Sequence, residues 1–329
     1  MIDPAGYLFE SFEDGGLLVD LTSGHFFRLN QTANEIWRQA LTGETPEAIA
    51  RSLSLRFALP EDSIRADVVA ALNLPNAEAS ARPEAEHSLE FNSRGCVVLM
   101  GRRPTLDIDE RQQQIRVRPS VTGEDLGNCL RTIVPRLLSR GDAPVLHAAA
   151  VRAPDETIWA FLGNNGAGKT TTAHSFGAAN GFGLVCEDKL MTRLAQDSLG
   201  GVLEGEITIN QWMREAKRRL LVNPAEGVQM PDPAFCDQHP SLPIGRIFLI
   251  DSNRRQGTSI HLQELLPSDA APEIMRHVFF RPTQEWNLRQ HLSGLFRLAR
   301  SIPVYVATLP NGLSQLDQAV RAYIATVTS

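Results

Sequence analysis

The stretch Gly163-Asn-Asn-Gly-Ala-Gly-Lys-Thr170 constrains this 329-residue chain more than any other feature. It matches G-x-x-x-x-G-K-[ST] in full and follows the apolar run TIWAFL at 157–162, which reads as a buried strand. Glycines let a backbone turn tightly enough for successive N–H groups to point at one anion. A helix from 169 to 178 would add the positive end of its dipole. The pattern predicts a strand, a loop and a helix, with phosphates cradled by Gly163, Asn164, Asn165, Gly166, Ala167, Gly168, Lys169, Thr170 and Thr171. Residue usage sharpens this. The chain has 32 Lys plus Arg, but only Lys169, Lys189 and Lys217 are lysines. One of the three stands where a compact ammonium must reach the β- and γ-phosphates, and Thr170 would offer its hydroxyl to Mg²⁺. The expected cofactors are ATP and Mg²⁺.

Phosphoryl transfer also needs carboxylates to hold the metal and to take the acceptor proton. Two apolar runs end in acid. FGLVC at 182–186 runs into Glu187-Asp188, and IFLI at 247–250 runs into Asp251. The first follows the loop helix directly, so its strand is expected to lie close to the loop, and its two acids can divide the labour. The pattern favours Glu187 and Asp188, one on Mg²⁺ beside Thr170 and one as base; Asp188 is taken as the metal ligand, and the pattern does not decide which acid is the base. His147 lies in the apolar run 145–151, where a lone histidine is usually a hydrogen-bonded core residue. Arg214, Lys217, Arg218 and Arg219 form a basic patch that reads first as a solvated helix face, and Arg281 is a weaker candidate for transition-state charge. Cys236 and His239 lack two partner ligands, so no zinc site is expected.

The N-terminal part has a different character. Residues 1–88 carry 14 Asp/Glu against 6 Arg and no Lys, a charge of −8, whereas the remainder carries 24 against 26, a charge of +2. The polar stretch NAEASARPEAEH at 76–87 reads as a linker, which places a domain boundary near residue 88. Strand-like runs at 7–12, 17–21 and 25–29 predict a three-stranded meander. Helical patterns follow at 30–40, at 46–57 behind the Thr45 cap, and at 60–74. Three strands and three helices of this size suggest a small α+β, winged helix-turn-helix-like domain. A −8 surface argues against the nucleic-acid binding such a fold often serves, because phosphate contacts need clustered Lys and Arg. Pairing an extended peptide along a strand edge fits better.

Two resemblances join these readings. The runs GLLVDL at 16–21, GHFFRLN at 24–30 and ANEIW at 33–37 resemble the PqqD-like domains, which recognise leader peptides of ribosomally made, modified peptides. The resemblance implies that a leader adds as a strand beside His25, Phe26, Phe27, Arg28 and Leu29. It would lie in a groove formed with Ile64, Val68 and Leu72. The runs Leu146-His147-Ala, 161–171 and LVCED at 184–188 resemble the catalytic core of HPr kinase/phosphorylase. That resemblance implies an α/β P-loop fold of the HPr kinase / PEP carboxykinase-like type. It implies that Glu187 and Asp188 carry metal binding and the base role, with His147 supporting them electrostatically. The pair here is Glu-Asp rather than the usual Asp-Asp, and the family's second signature is only echoed by LEGEITIN at 203–210.

The combined expectation is a two-domain kinase: residues 1–88 recognise a leader, and residues 89–329 bind ATP. It would phosphorylate a Ser or Thr hydroxyl of a precursor peptide. A nucleotide-regulated peptide chaperone or scaffold, and a small-molecule kinase, are the alternatives. The acidic N-terminus lacks the basic and apolar regions of a secretory signal, and no apolar run reaches the ~18 residues a membrane helix needs. Four scattered cysteines suit a reducing compartment. A cytoplasmic protein is expected, binding neither nucleic acid nor membrane; homo-oligomerisation is not decided by these features.

Overall fold

A computed structural model describes residues 6–20, 26–73, 87–92, 95–100, 103–119, 121–140, 143–195, 198–232, 234–251, 259–279 and 288–327. Chain contacts divide it into two compact units, Met1–Pro83 with Leu266–Pro272, and Glu84–Leu265 with Glu273–Ser329. The division falls before the expected residue 88, and strand β4 already begins at His87. The first unit also takes in a segment far away in sequence. There Arg28 pairs with Asp269 at 2.7 Å, and Ser268 donates its backbone N–H to Asp14 at 3.3 Å. No composition shift marks such a segment.

The first unit begins with an antiparallel meander, β1 (Tyr7–Phe12), β2 (Gly15–Asp20) and β3 (Phe26–Leu29), in the order β1-β2-β3. Helices α1 (Gln31–Leu41), α2 (Pro46–Phe57) and α3 (Glu61–Leu72) follow. Their starts are written in the sequence. The Asn30 side chain accepts from the Ala33 N–H, Thr45 accepts from Ala48, and Pro46 takes the first helical position of α2. Ile36, Ile49, Leu53, Ile64 and Val68 form one core cluster, and Leu18, Leu29 and Trp37 a second. Full burial of each such side chain contributes ~1.5–3 kcal/mol. The Trp37 indole N–H is satisfied by the Ala71 carbonyl at 3.0 Å.

The second unit opens with β4 (His87–Asn92), β5 (Gly95–Met100), β6 (Arg103–Asp109), β7 (Gln114–Val117) and α4 (Gly123–Leu138). Next come β8 (Val145–Leu146), β9 (Ala148–Arg152), β10 (Ile158–Leu162), α5 (Lys169–Gly177), β11 (Gly183–Cys186), β12 (Thr192–Ala195), β13 (Ser198–Val202) and α6 (Gly205–Val222). The chain continues through β14 (Val228–Gln229), α7 (Phe235–Gln238), β15 (Ser241–Ile250), β16 (His261–Leu265), α8 (Pro267–Met275), β17 (Val278–Phe279), α9 (Leu288–Ser301), β18 (Val304–Thr308) and α10 (Leu313–Val327). Helix α8 starts in the segment assigned to the first unit.

The central mixed sheet runs β11-β9-β10-β15-β13-β12, and β18 pairs with β15 and β16. Strands β10, β15 and β18 are parallel neighbours, whereas β9 is antiparallel to both β10 and β11. The strand beside β10 is β15, which leads to Asp251, and β9 lies between β10 and β11. A second sheet, β14-β7-β6-β5-β4, supplies core residues that pack with those of α4 and α6. Beneath α5 and α10, Trp159, Phe161, Phe176 and Phe248 form the core that backs the glycine-rich loop. The four cysteines are buried and free. Among the described residues, no helix is long and apolar enough to cross a membrane.

Candidate active site

Strand β10 is buried along its whole length and delivers the chain into residues 163–168, after which α5 begins. The turn needs its glycines: Gly166 has φ +79° and Gly168, the α5 N-cap, has φ +94°, a region that strains any side chain. Asn164, Asn165 and Gly166 are exposed, Ala167 is buried, and Thr170 and Thr171 face solvent. The first turn of α5 has no acidic residue and no side-chain cap, so its leading N–H groups lack a partner of that kind. The Lys169 ammonium, 7% exposed, folds back onto the Gly163 carbonyl at 2.9 Å and the Asn164 carbonyl at 3.4 Å. Burial lowers its pKa, and the Asp188 charge opposes that shift. A buried cation held by neutral carbonyls, beside an uncapped helix start, suits a polyphosphate.

The paired acids reach this loop from β11, but their side chains part. Glu187 turns to His174 on α5, with Nε2 2.7 Å from its carboxylate, and the Thr170 hydroxyl donates to the Glu187 carbonyl at 3.1 Å. Asp188 meets His147 Nε2 at 3.1 Å and the Lys189 ammonium. Hydrogen bonds from His147 and then Lys189 outweigh burial, and hold Asp188 well below the usual carboxylate range. It is therefore an anion at neutral pH. The His147 backbone N–H donates to the His277 carbonyl at 2.7 Å, and its ring lies 5.6 Å from Phe279. Asp251 instead bonds through its backbone N–H to Ala307 and receives the Thr308 hydroxyl at 3.5 Å.

Three residues of this cluster were not singled out for the site by the sequence reading. Lys189 is 4% exposed against Asp188, and its rarity as one of three lysines was the available signal. Glu206 lies within LEGEITIN, where nothing local announces its partners. His277 receives the His147 backbone N–H on its carbonyl, and follows α8 with no motif around it. Arg281 lies outside the described residues. The basic patch is dispersed over α6: Arg218 pairs with Glu215, and Lys217 lies against Gly127 of α4. Among the described residues, no group of His, Cys, Asp and Glu is arranged to hold a metal by itself.

In the first unit, β3 is an edge strand, with Phe26 and Phe27 half-buried and Arg28 exposed. His25 lies outside the described residues. The expected groove needs correction at the helix. Ile64 and Val68 are 4% and 0% exposed inside the three-helix core, so they are not free to line a groove. Leu29 is likewise buried, against Leu18 and Trp37. The apolar i, i+4 stripe of α3 is what joins it to α1 and α2. Leu72 is half-buried between both clusters, and Val69 on the open face is 47% exposed.

Comparison with known proteins bears on this unit. Residues 15–74 match the family model described as coenzyme PQQ synthesis protein D (PqqD). The first unit carries a PqqD domain. The match spans β2, β3, α1, α2 and α3. A solved structure described as TbiB1 in complex with the TbiA(beta) leader peptide aligns with 23% of this chain and 94% of that one. Identity is 22% and the TM-score is 0.21. No curated protein matches the chain.

Proposed function

We propose that this protein is an ATP- and Mg²⁺-dependent kinase that phosphorylates a Ser or Thr hydroxyl of a ribosomally made precursor peptide. The PqqD domain captures the leader, and the second unit modifies the core peptide. The observation that carries the reading is the convergence on one loop of Lys169, the uncapped start of α5, and an Asp188 carboxylate held ionised by His147 and Lys189.

In this mechanism the loop N–H groups and Lys169 hold the β- and γ-phosphates. Thr170 and Asp188 would hold Mg²⁺, which supplies charge neutralisation at the transferring phosphoryl group. Asp188 would face the acceptor hydroxyl and take its proton as the new P–O bond forms and the bond from the γ-phosphorus to the departing ADP oxygen breaks. Its low basicity suits a loose transition state, in which the proton leaves late. His147 keeps the Asp188 carboxylate in place. Strand β3, at the edge of its sheet among the described residues, would offer backbone groups to an extended leader, and tethering would raise the local acceptor concentration to about mM.

The test is direct. The full-length protein with Mg-ATP and the cognate precursor should add about 80 Da, the mass of HPO₃, to the peptide, and Lys169→Ala should abolish the addition. A wild-type protein that leaves the peptide unmodified while binding both ATP and leader would overturn the reading.

A further inference from the structure

Glu206 stands at the second position of α6 and is 7% exposed. Its carboxylate collects three consecutive backbone N–H groups: Glu187 at 2.6 Å, and Asp188 and Lys189 each at 3.1 Å. Successive N–H groups converging on one point make an anion-binding concavity. Here the chain fills that concavity with its own side chain, 17 to 19 residues further on. Burying a carboxylate is unfavourable, and burial raises the Glu206 pKa while the N–H bonds oppose the rise. Three charge-assisted bonds offset much of that loss.

What the clamp achieves is directional. Fixing three neighbouring N–H groups leaves the backbone of this turn little freedom. Two adjacent side chains must then leave it in different directions. Glu187 goes outward to His174, and Asp188 goes to His147 and Lys189. Without the clamp, both acids could exchange partners, and the carboxylate that faces the acceptor would no longer be determined.

We propose that Glu206 is a positioning residue for phosphoryl transfer: by clamping the Glu187–Lys189 backbone it holds the Asp188 carboxylate where the acceptor proton is taken. This rests on the kinase reading above. A misplacement of about 1 Å in a reacting group lowers rates by roughly a hundredfold, so loosening this turn should be felt in kcat rather than in nucleotide binding.

The experiment compares full-length wild type, Glu206→Gln, Glu206→Asp and the exposed control Glu215→Gln. Amide hydrogen exchange is followed at residues 187–189, alongside kcat and KM for ATP with the precursor peptide. Glu206→Gln replaces one acceptor oxygen by a donor. Exchange at 187–189 should quicken by at least ~10-fold and kcat should fall ~10- to 100-fold, with KM for ATP unchanged within about twofold. Glu206→Asp should show a smaller loss of the same kind, and it stands in if the Gln variant does not fold. Glu215→Gln should move nothing. Wild-type exchange and kcat in both Glu206 variants would overturn the proposal, as would a raised KM with kcat intact. If wild type itself transfers no phosphate, the kinase reading falls. The exchange measurement still decides the clamp, and unchanged protection at 187–189 would remove it.

Discussion

At the scale of single residues, the two acids at the end of β11 are not equivalent. Asp188→Asn should lower phosphate transfer by ~100-fold or more, because it removes the anion that His147 and Lys189 hold. Glu187→Gln, which loses a contact to exposed His174, should cost ~10-fold or less. Phosphopeptide formation measured by mass spectrometry under single-turnover conditions separates the two. That an acid pair belongs here was legible from the run FGLVCED. Where each of the two side chains turns was not, because their directions depend on His147, His174 and Glu206, all remote in sequence. His277 carries a pH prediction. Burial, then the charges of His147, Lys169 and Arg276, bring it down to about 4. Unfolded, it takes up its proton near pH 6.5. Between about pH 6.5 and 4 the unfolded chain therefore binds more protons, and stability falls as pH falls. Asp188, with its pKa depressed, stabilises fully above about pH 4 and begins to lose that contribution only below it, outside this window. Urea midpoints at pH 7 and pH 5 should drop more in wild type than in His277→Asn.

At the scale of elements, α3 decides between core and groove. Its i, i+4 stripe is consumed in packing, so Ile64→Ala should destabilise the first unit by ~2–4 kcal/mol, whereas Val69→Ala should stay within about 0.5 kcal/mol. Equilibrium urea unfolding followed by Trp37 fluorescence distinguishes them, given that Trp37 is fully buried in that unit. Periodicity placed the helix correctly and named its apolar face. It could not tell whether that face meets the protein's own helices or a ligand, because both uses demand the same residues. The strand order tells a similar story. The apolar runs leading to Glu187-Asp188 and to Asp251 both became strands, β11 and β15. Hydrophobicity marks a buried strand without saying which neighbour it pairs with: β15 lies directly beside β10, and β9 stands between β10 and β11.

At the scale of the whole molecule, each unit has its own core clusters. Calorimetry should accordingly resolve two unfolding transitions, with Mg-ATP raising only that of the second unit and the leader peptide only that of the first. At 100 times the dissociation constant, each ligand should add ~2.7 kcal/mol to its own unit. A single transition shifted equally by both ligands would contradict this. The charge contrast between residues 1–88 and the remainder carries no information on residues 266–272, whose assignment to the first unit is a matter of contacts. By itself the sequence determined what local physics controls: the glycine-rich turn and its helix, the caps at Asn30 and Thr45, the meander, and the presence of an acid pair. Only the tertiary structure decided which groups converge. Glu206 meets the 187–189 backbone, His147 meets Asp188, and Ile64 is spent on the core, because each partnership is made by chain segments that sequence separation leaves unrelated and packing brings together.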